Sequence, residues 1–138
     1  MALRFVADTS AIARLRVPAV DARLSPLIAS GEVATCSVVE LEVLYSTRGH
    51  DDLRETRSRR AHLPRIPMEQ GDFDRAADVM VALAARGKHR SVGIPDLLIA
   101  AAAERARATL LHYDSDFDTI AALTGQPAEW VIPRGSAP

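Results

Sequence analysis

Three aspartates in this sequence sit where a purely structural role is hard to find, and with a fourth acid their types and placing suit metal-assisted phosphate chemistry. Asp8 directly follows the apolar run Leu3 to Ala7, Asp96 opens the most apolar stretch of the chain, and Asp114 follows the short run Thr109 to His112. The fourth is a glutamate between Ser37 and Ser46, either Glu40 or Glu42. Carboxylates crowded into one crevice repel, and some take up protons unless a counter-charge is present. A divalent cation meets that need. No Cys/His cluster is present, which argues against zinc. An all-oxygen set suits magnesium, with manganese as a substitute, held by one or two carboxylates with water and substrate phosphate. Such a metal generates hydroxide and stabilises in-line attack on phosphorus, so the reaction expected is phosphodiester hydrolysis.

Each acid also has an ordinary reading. Asp8 could cap the helix that follows, Asp96 could be a first-turn acid beside Pro95, and Asp114 could be a turn residue in Asp114-Ser115-Asp116. These readings weaken when the three positions converge on one edge of one sheet. Asp8 and Asp114 follow strand-like runs, and ligands of open α/β sheets bind outside the carboxyl ends of parallel strands. Asp96, at a helix N-terminus, can face the same crevice, with the helix dipole easing its charge.

The choice of glutamate rests on a helix wheel. With Val38 at zero and about 100° per residue, Glu42 lies at about 40°, beside Leu41 and Tyr45, and Glu40 lies near about 200°. Ser37 and Glu40 also match a capping box, which would give Glu40 a structural task. Glu42 is therefore the acid expected on the buried face, where a carboxylate needs a partner or a cation.

These residues must be held by an alternation of strands and helices, the pattern of an α/β domain with a central, mainly parallel sheet. Strands are expected over Leu3 to Ala7, Val33 to Thr35, Thr109 to His112 and Trp130 to Ile132. Helices are expected from the Asp8-Thr9-Ser10 cap to about Arg16, over Ala19 to Ser30 (closed by Gly31), and from Ser37 to about Ser46. Others should run from Asp51 to His62, Glu69 to Arg86, Pro95 to Arg107 and Phe117 to Leu123. The Pro95 helix is apolar nearly all round through Ala103, so its first half should be buried.

The 138 residues, 48% of them apolar, read as one domain spanning 1–138, with a frayed tail from Pro133 to Pro138. A lone cysteine, Cys36, excludes an internal disulfide framework and reads as a small buried apolar residue. The start lacks a signal-peptide core, and no apolar run nears the roughly 18 residues of a membrane span. A cytoplasmic protein is expected. The net charge of −1 gives no global basic field. Six arginines nevertheless fall between Arg48 and Arg65, and Arg86, Lys88, His89 and Arg90 form a second cluster, either phosphate contacts or solvated surface.

Four segments taken together resemble the PIN-domain family, and within it the VapC-type toxins of bacterial toxin–antitoxin pairs. They are Phe5 to Ser10, Glu42 to Ser46, Asp96 to Ala101 and Asp114 to Phe117. The resemblance covers nearly the whole chain in order and spacing. It implies a three-layer α/β/α fold, magnesium, endoribonuclease activity, an RNA substrate, a cognate antitoxin that blocks the site, and a homodimer or higher assembly. It implies metal or catalytic roles for Asp8, Glu42, Asp96 and Asp114, with Asp116 as a further member that could equally cap the next helix. Thr9 and Ser10 match the family's hydroxyl positions beside the first acid. Ser46 stands where glycine is frequent, and His112-Tyr113 replaces a more usual polar pair before Asp114.

Two other phosphate chemistries fit less well. A haloacid-type phosphatase would want an acid where Ser10 stands, and a receiver domain would want an acidic pair and a late strand-end lysine, whereas Lys88 follows Gly87. A PIN scaffold that only binds a partner is the non-enzymatic alternative, and it would be expected to have lost at least one of the acids.

Overall fold

The structure, a computed structural model, describes residues 3–138. Apolar runs bounded by turn residues become strands, and all the pairings between them are parallel. These are β1 (Phe5–Ala7), β2 (Val33–Cys36), β3 (Arg65–Ile66), β4 (Thr109–His112) and β5 (Ala128–Trp130), in the order β3-β2-β1-β4-β5. Among the described residues seven helices connect them: α1 (Thr9–Ile12), α2 (Pro18–Ala29), α3 (Ser37–Tyr45), α4 (His50–Arg60), α5 (Gln70–Ala85), α6 (Ile94–Arg105) and α7 (Asp116–Thr124).

Side chains alternate across a strand, and here both faces are buried. Phe5, Ala7, Val33 and Leu111 pack with Ala11, Val20 and Leu24 of α1 and α2. Val6, Ala34, Cys36 and Leu110 point the other way, into a larger core with α3, α5, α6 and α7. The result is three layers, α/β/α. Leu97, Ile99 and Ala100–Ala103 are all buried, as the apolar character of this helix requires. The alanines let α6 lie close to α5, so enlarging one would force the layers apart at about 1–3 kcal/mol. Gly31, at φ 76°, makes the turn from α2 into β2 in a conformation that disfavours other residues.

Several expectations are corrected. β3 escaped notice because it is two residues long and flanked by Pro64 and Pro67; it exists through its pairing of Thr35 with Arg65 and Cys36 with Ile66. The last strand is Ala128–Trp130, with Leu110 opposite Ala128, and not Trp130 to Ile132. Val131 and Ile132 are buried beyond it. The capping box at Ser37 does not form. Cys36 caps α3 without a side-chain hydrogen bond, and the Glu40 carboxylate turns away to other partners. The tail read as frayed is tied to the body. Tyr113 Oη donates to Ala137 O at 3.0 Å and accepts from Ala137 N at 2.9 Å, while Arg14 Nε donates to Pro138 O at 2.9 Å.

Candidate active site

Strand β1 delivers Asp8 to the carboxyl edge of the sheet, where the Asp8 amide still bonds Leu111 O of β4 at 2.9 Å. The chain turns there into α1, and Asp8 caps it by accepting from Ser10 N at 2.9 Å and Ser10 Oγ at 2.5 Å, both through Oδ2. Capping and site membership are thus not alternatives, because a carboxylate has two oxygens. Asp8 is buried and its Oδ1 has no hydrogen-bond partner. Burial pushes its carboxyl up, Glu42 adds to this, and the Ser10 bonds oppose it.

Asp96 stands in the first turn of α6, after Gly93 and Pro95. Asp114 and Asp116 stand where β4 passes into α7. Asp114 Oδ1 accepts from Asp116 N at 2.9 Å, so Asp114 closes this turn. Asp116 is the first residue of α7 and follows the cap position at Ser115, which answers the question of whether Asp116 caps the helix. One carboxylate oxygen each from Asp96, Asp114 and Asp116 lie within 4.8 Å of one another. Asp96 is pushed up to about 8, first by burial, then by the charges of Asp8 and Asp114 and by a hydrogen bond shared with Asp116. Two different strand–helix junctions and one helix start therefore converge, as the spacing of the apolar runs suggested.

Glu42 is not one of that triad, though its charge acts on Asp8. Thr9 Oγ1 donates to Glu42 Oε1 at 2.8 Å and so ties α3 to the start of α1. Glu40 is placed contrary to the helix-wheel reading: it is the more buried of the two, 6% exposed, against a half-buried Glu42. The wheel failed because α3 is apolar on several sides and one of its polar faces lies against α4. Burial pushes Glu40 up, but hydrogen bonds from Arg60 and Thr35 outweigh it and hold the carboxyl below its ordinary value. Arg60 therefore serves Glu40, whereas Arg54, Arg57, Arg59 and Arg65 are exposed.

The donor set fits a hard divalent cation. It is all oxygen, contains a buried carboxylate oxygen without a partner, and holds like charges close together. Among the described residues no ion pair involves Asp8, Glu42, Asp96, Asp114 or Asp116; the eight ion pairs lie elsewhere.

Sequence reasoning missed how the two junctions are joined. Ser10 Oγ, which donates to Asp8, also accepts from Tyr113 N at 2.8 Å. His112, the last residue of β4, is fully buried, and its Nδ1 accepts from Asp114 N at 3.2 Å. Burial holds its ring towards the neutral form against the charges of Asp118 and Asp114. Its Nε2 has no partner, and an unsatisfied buried N–H costs about 1–3 kcal/mol. The departure from a polar pair at 112–113 was the only signal available.

Two grooves flank α3. One, of about 460 Å³, is lined by Thr9, Val38, Leu41, Glu42, Tyr45 and Pro95, and opens beside the acids. The other, of about 560 Å³, lies between α3 and α4 and includes Arg57 and Arg65. Neither is lined by α2. Leu41 and Tyr45 are exposed on this side, at 68% and 92%.

Comparison with known proteins gives three kinds of likeness. A family model described as "PIN domain" matches residues 5–123. The chain is 43% identical over 138 residues to Ribonuclease VapC21 of Mycobacterium tuberculosis, covering 99% of this chain and 100% of that one. It is also 43% identical over 136 residues to Ribonuclease VapC51 of the same organism, covering 99% and 98%. In structure it is similar to a chain of DNA-bound VapBC from Salmonella typhimurium, with a TM-score of 0.74 and 94% and 99% coverage. At 17% identity that last likeness concerns the fold alone.

Proposed function

The chain belongs to the PIN domain family, and from that premise we propose that it is a metal-dependent endoribonuclease, the toxic component of a toxin–antitoxin pair. The observation that carries this reading is a carboxylate cluster that, among the described residues, no basic side chain pairs with. Asp96, Asp114 and Asp116 bring oxygens within 4.8 Å, and Asp96 is pushed up to about 8 beside a buried Asp8. A scaffold that only binds a partner has no use for so strained a group of charges. Retention of all five acids supports the enzyme.

Asp8, Asp96 and Asp114 would hold magnesium, or manganese in its place, with Asp116 and Glu42 completing the acidic wall. When bound, the cation neutralises the cluster and makes an attacking water more acidic. The protein's own groups do the rest. Ser10 fixes one oxygen of Asp8 and leaves the other free. Thr9 engages Glu42 Oε1 and leaves Oε2 to orient water and accept its proton. The exposed arginines of α4 and of the Arg86–Arg90 turn supply phosphate contacts along the approach.

The partners of this reading are RNA, a cognate antitoxin and a second copy of the chain, in the cytoplasm, with residues 1–138 acting as one domain. Relatives named as ribonucleases and a neighbour solved as VapBC support it. The test is incubation of total cellular RNA with the purified protein, in magnesium and in chelator. Endonucleolytic cleavage in magnesium alone is expected. Equal cleavage in both would overturn the metal dependence, and no cleavage of any RNA by folded, magnesium-loaded protein would overturn the enzyme.

A further inference from the structure

His112 lies between the rings of Phe117 and Trp130, with centroids 5.2 Å and 5.1 Å away. A leucine would fill such surroundings without leaving a nitrogen unsatisfied. The one polar contact the side chain makes is therefore informative. The β4–β5 ladder ends where Val131 N donates to His112 O at 2.8 Å. The next amides along β4 have left the sheet and must find acceptors elsewhere. Tyr113 N finds Ser10 Oγ, and Asp114 N finds His112 Nδ1. With Asp114 N held from behind, Asp114 Oδ1 receives Asp116 N in front, and the two carboxylates take one relative placement.

We propose that His112 is a positioning residue: by accepting the Asp114 amide at Nδ1 it sets the Asp114–Asp116 corner and thereby strengthens cation binding at the acidic cluster. This rests on the metal-site reading above. The contact requires an acceptor at the Nδ1 position, not an imidazole as such. Asparagine can place its carbonyl oxygen near the site of Nδ1, glutamine near that of Nε2, and leucine offers no acceptor.

The experiment titrates Mn2+ alone into the full chain by calorimetry for the wild type, His112→Asn, His112→Gln, His112→Leu and Asp114→Asn. In parallel, hydrogen exchange at the Asp114 amide is followed by NMR in metal-free protein. His112→Asn should bind Mn2+ within about twofold of wild type and keep the amide protected. His112→Gln and His112→Leu should bind about tenfold more weakly, the lower end for loss of an outer-shell partner, and expose the amide. If leucine does not fold, the asparagine–glutamine pair carries the test. Wild-type affinity and protection in His112→Gln would overturn the proposal while leaving the metal site intact. If neither wild type nor Asp114→Asn binds Mn2+, the metal-site reading falls and takes with it the claim on cation binding. The exchange pattern then decides the remainder: protection in asparagine but not glutamine supports the Nδ1 contact, and uniform behaviour removes it.

Discussion

Glu40 and Arg60 are joined by two hydrogen bonds across the α3–α4 junction, Arg60 Nε to Glu40 Oε1 at 2.9 Å and Arg60 Nη2 to Glu40 Oε2 at 2.8 Å. Both side chains are largely buried, at 12% and 9% exposure, and Thr35 Oγ1 donates to the same carboxylate. Removing one partner of such a pair strands the other charge, at a cost of about 3 kcal/mol. Glu40→Gln should therefore lower stability by about that amount and leave RNA cleavage by the folded fraction near wild type. Glu42→Gln should do the reverse. Denaturant unfolding and cleavage assays on both variants check this, and inactivity of folded Glu40→Gln would reassign the site glutamate.

The same pair sets an acid limit. Glu40 and Asp72 are both held below their ordinary values, Glu40 against its burial by the Arg60 and Thr35 bonds, Asp72 chiefly by Arg105. A depressed carboxyl binds fewer protons folded than unfolded, so its contribution is complete above the unfolded value of about 4 and fades as pH falls further. Melting temperature should drop steeply below about pH 4 in wild type and less steeply in Glu40→Gln. Equal slopes would mean that this pair does not govern acid unfolding.

Asp96 carries the opposite sign. Its carboxyl is raised to about 8 by burial and by neighbouring acids, so the folded protein binds a proton there more tightly than the unfolded chain does. In chelator the contribution of the protonated group is complete below about pH 4 and is lost as pH rises towards 8. Asp96→Asn, which cannot ionise, should gain melting temperature relative to wild type across that window. Magnesium should raise the wild type at pH 8 and barely move the variant. A constant difference between the two proteins across pH would contradict the crowding of charge at Asp96.

Asp8→Asn and Asp96→Asn remove carboxylate charge and keep volume. Each should reduce RNA cleavage by about 100-fold or more, since even outer-shell losses at metal sites reach 10–100-fold. Circular dichroism should report an intact fold. Full activity of either variant at saturating magnesium would remove that residue from the site.

Thr9→Val deletes the hydroxyl that holds Glu42 Oε1 and keeps the side-chain shape. Cleavage should fall by about tenfold with Mn2+ affinity little changed, because Glu42 lies outside the Asp96–Asp114–Asp116 triad. A matching fall in Mn2+ affinity would place Glu42 among the ligands.

A cognate antitoxin should suppress cleavage by covering the grooves beside α3. A basic side chain from such a peptide can pair with the carboxylates, and Leu41 and Tyr45 offer apolar surface that repays ordering. Leu41→Glu together with Tyr45→Glu should weaken the complex while leaving the acidic cluster in place. Unchanged affinity, measured by calorimetry, would move the antitoxin to another face.

Much of the geometry of the candidate site was legible because it is built from local patterns. An apolar run that ends on an aspartate is visible in any strand–helix alternation, and parallel strands carry such ends to one edge. Asp8 and Asp114 follow from that rule, Asp96 was read from its place at the head of an apolar helix, and α6 advertised its burial by being apolar nearly all round. Glu42 was selected by a helix wheel that misplaced Glu40, because a wheel assumes one buried face and α3 has neighbours on several. The two-residue β3 had too little length to show a period, and the tail's anchorage depends on long-range contacts of Tyr113 and Arg14 that no local pattern marks.

The sequence by itself determined the alternation of most strands and helices and the acids that stand at their ends, since hydrophobic periodicity and capping act over a few residues. Only the tertiary structure decided who pairs with whom. Glu40 meets Arg60 20 residues away, Thr9 meets Glu42 across 33, and Ser10 meets Tyr113 across 103. Nothing in the local pattern encodes these partners, because a hydrogen bond depends on positions to within a few tenths of an ångström, and those positions are set by the packing of all three layers at once.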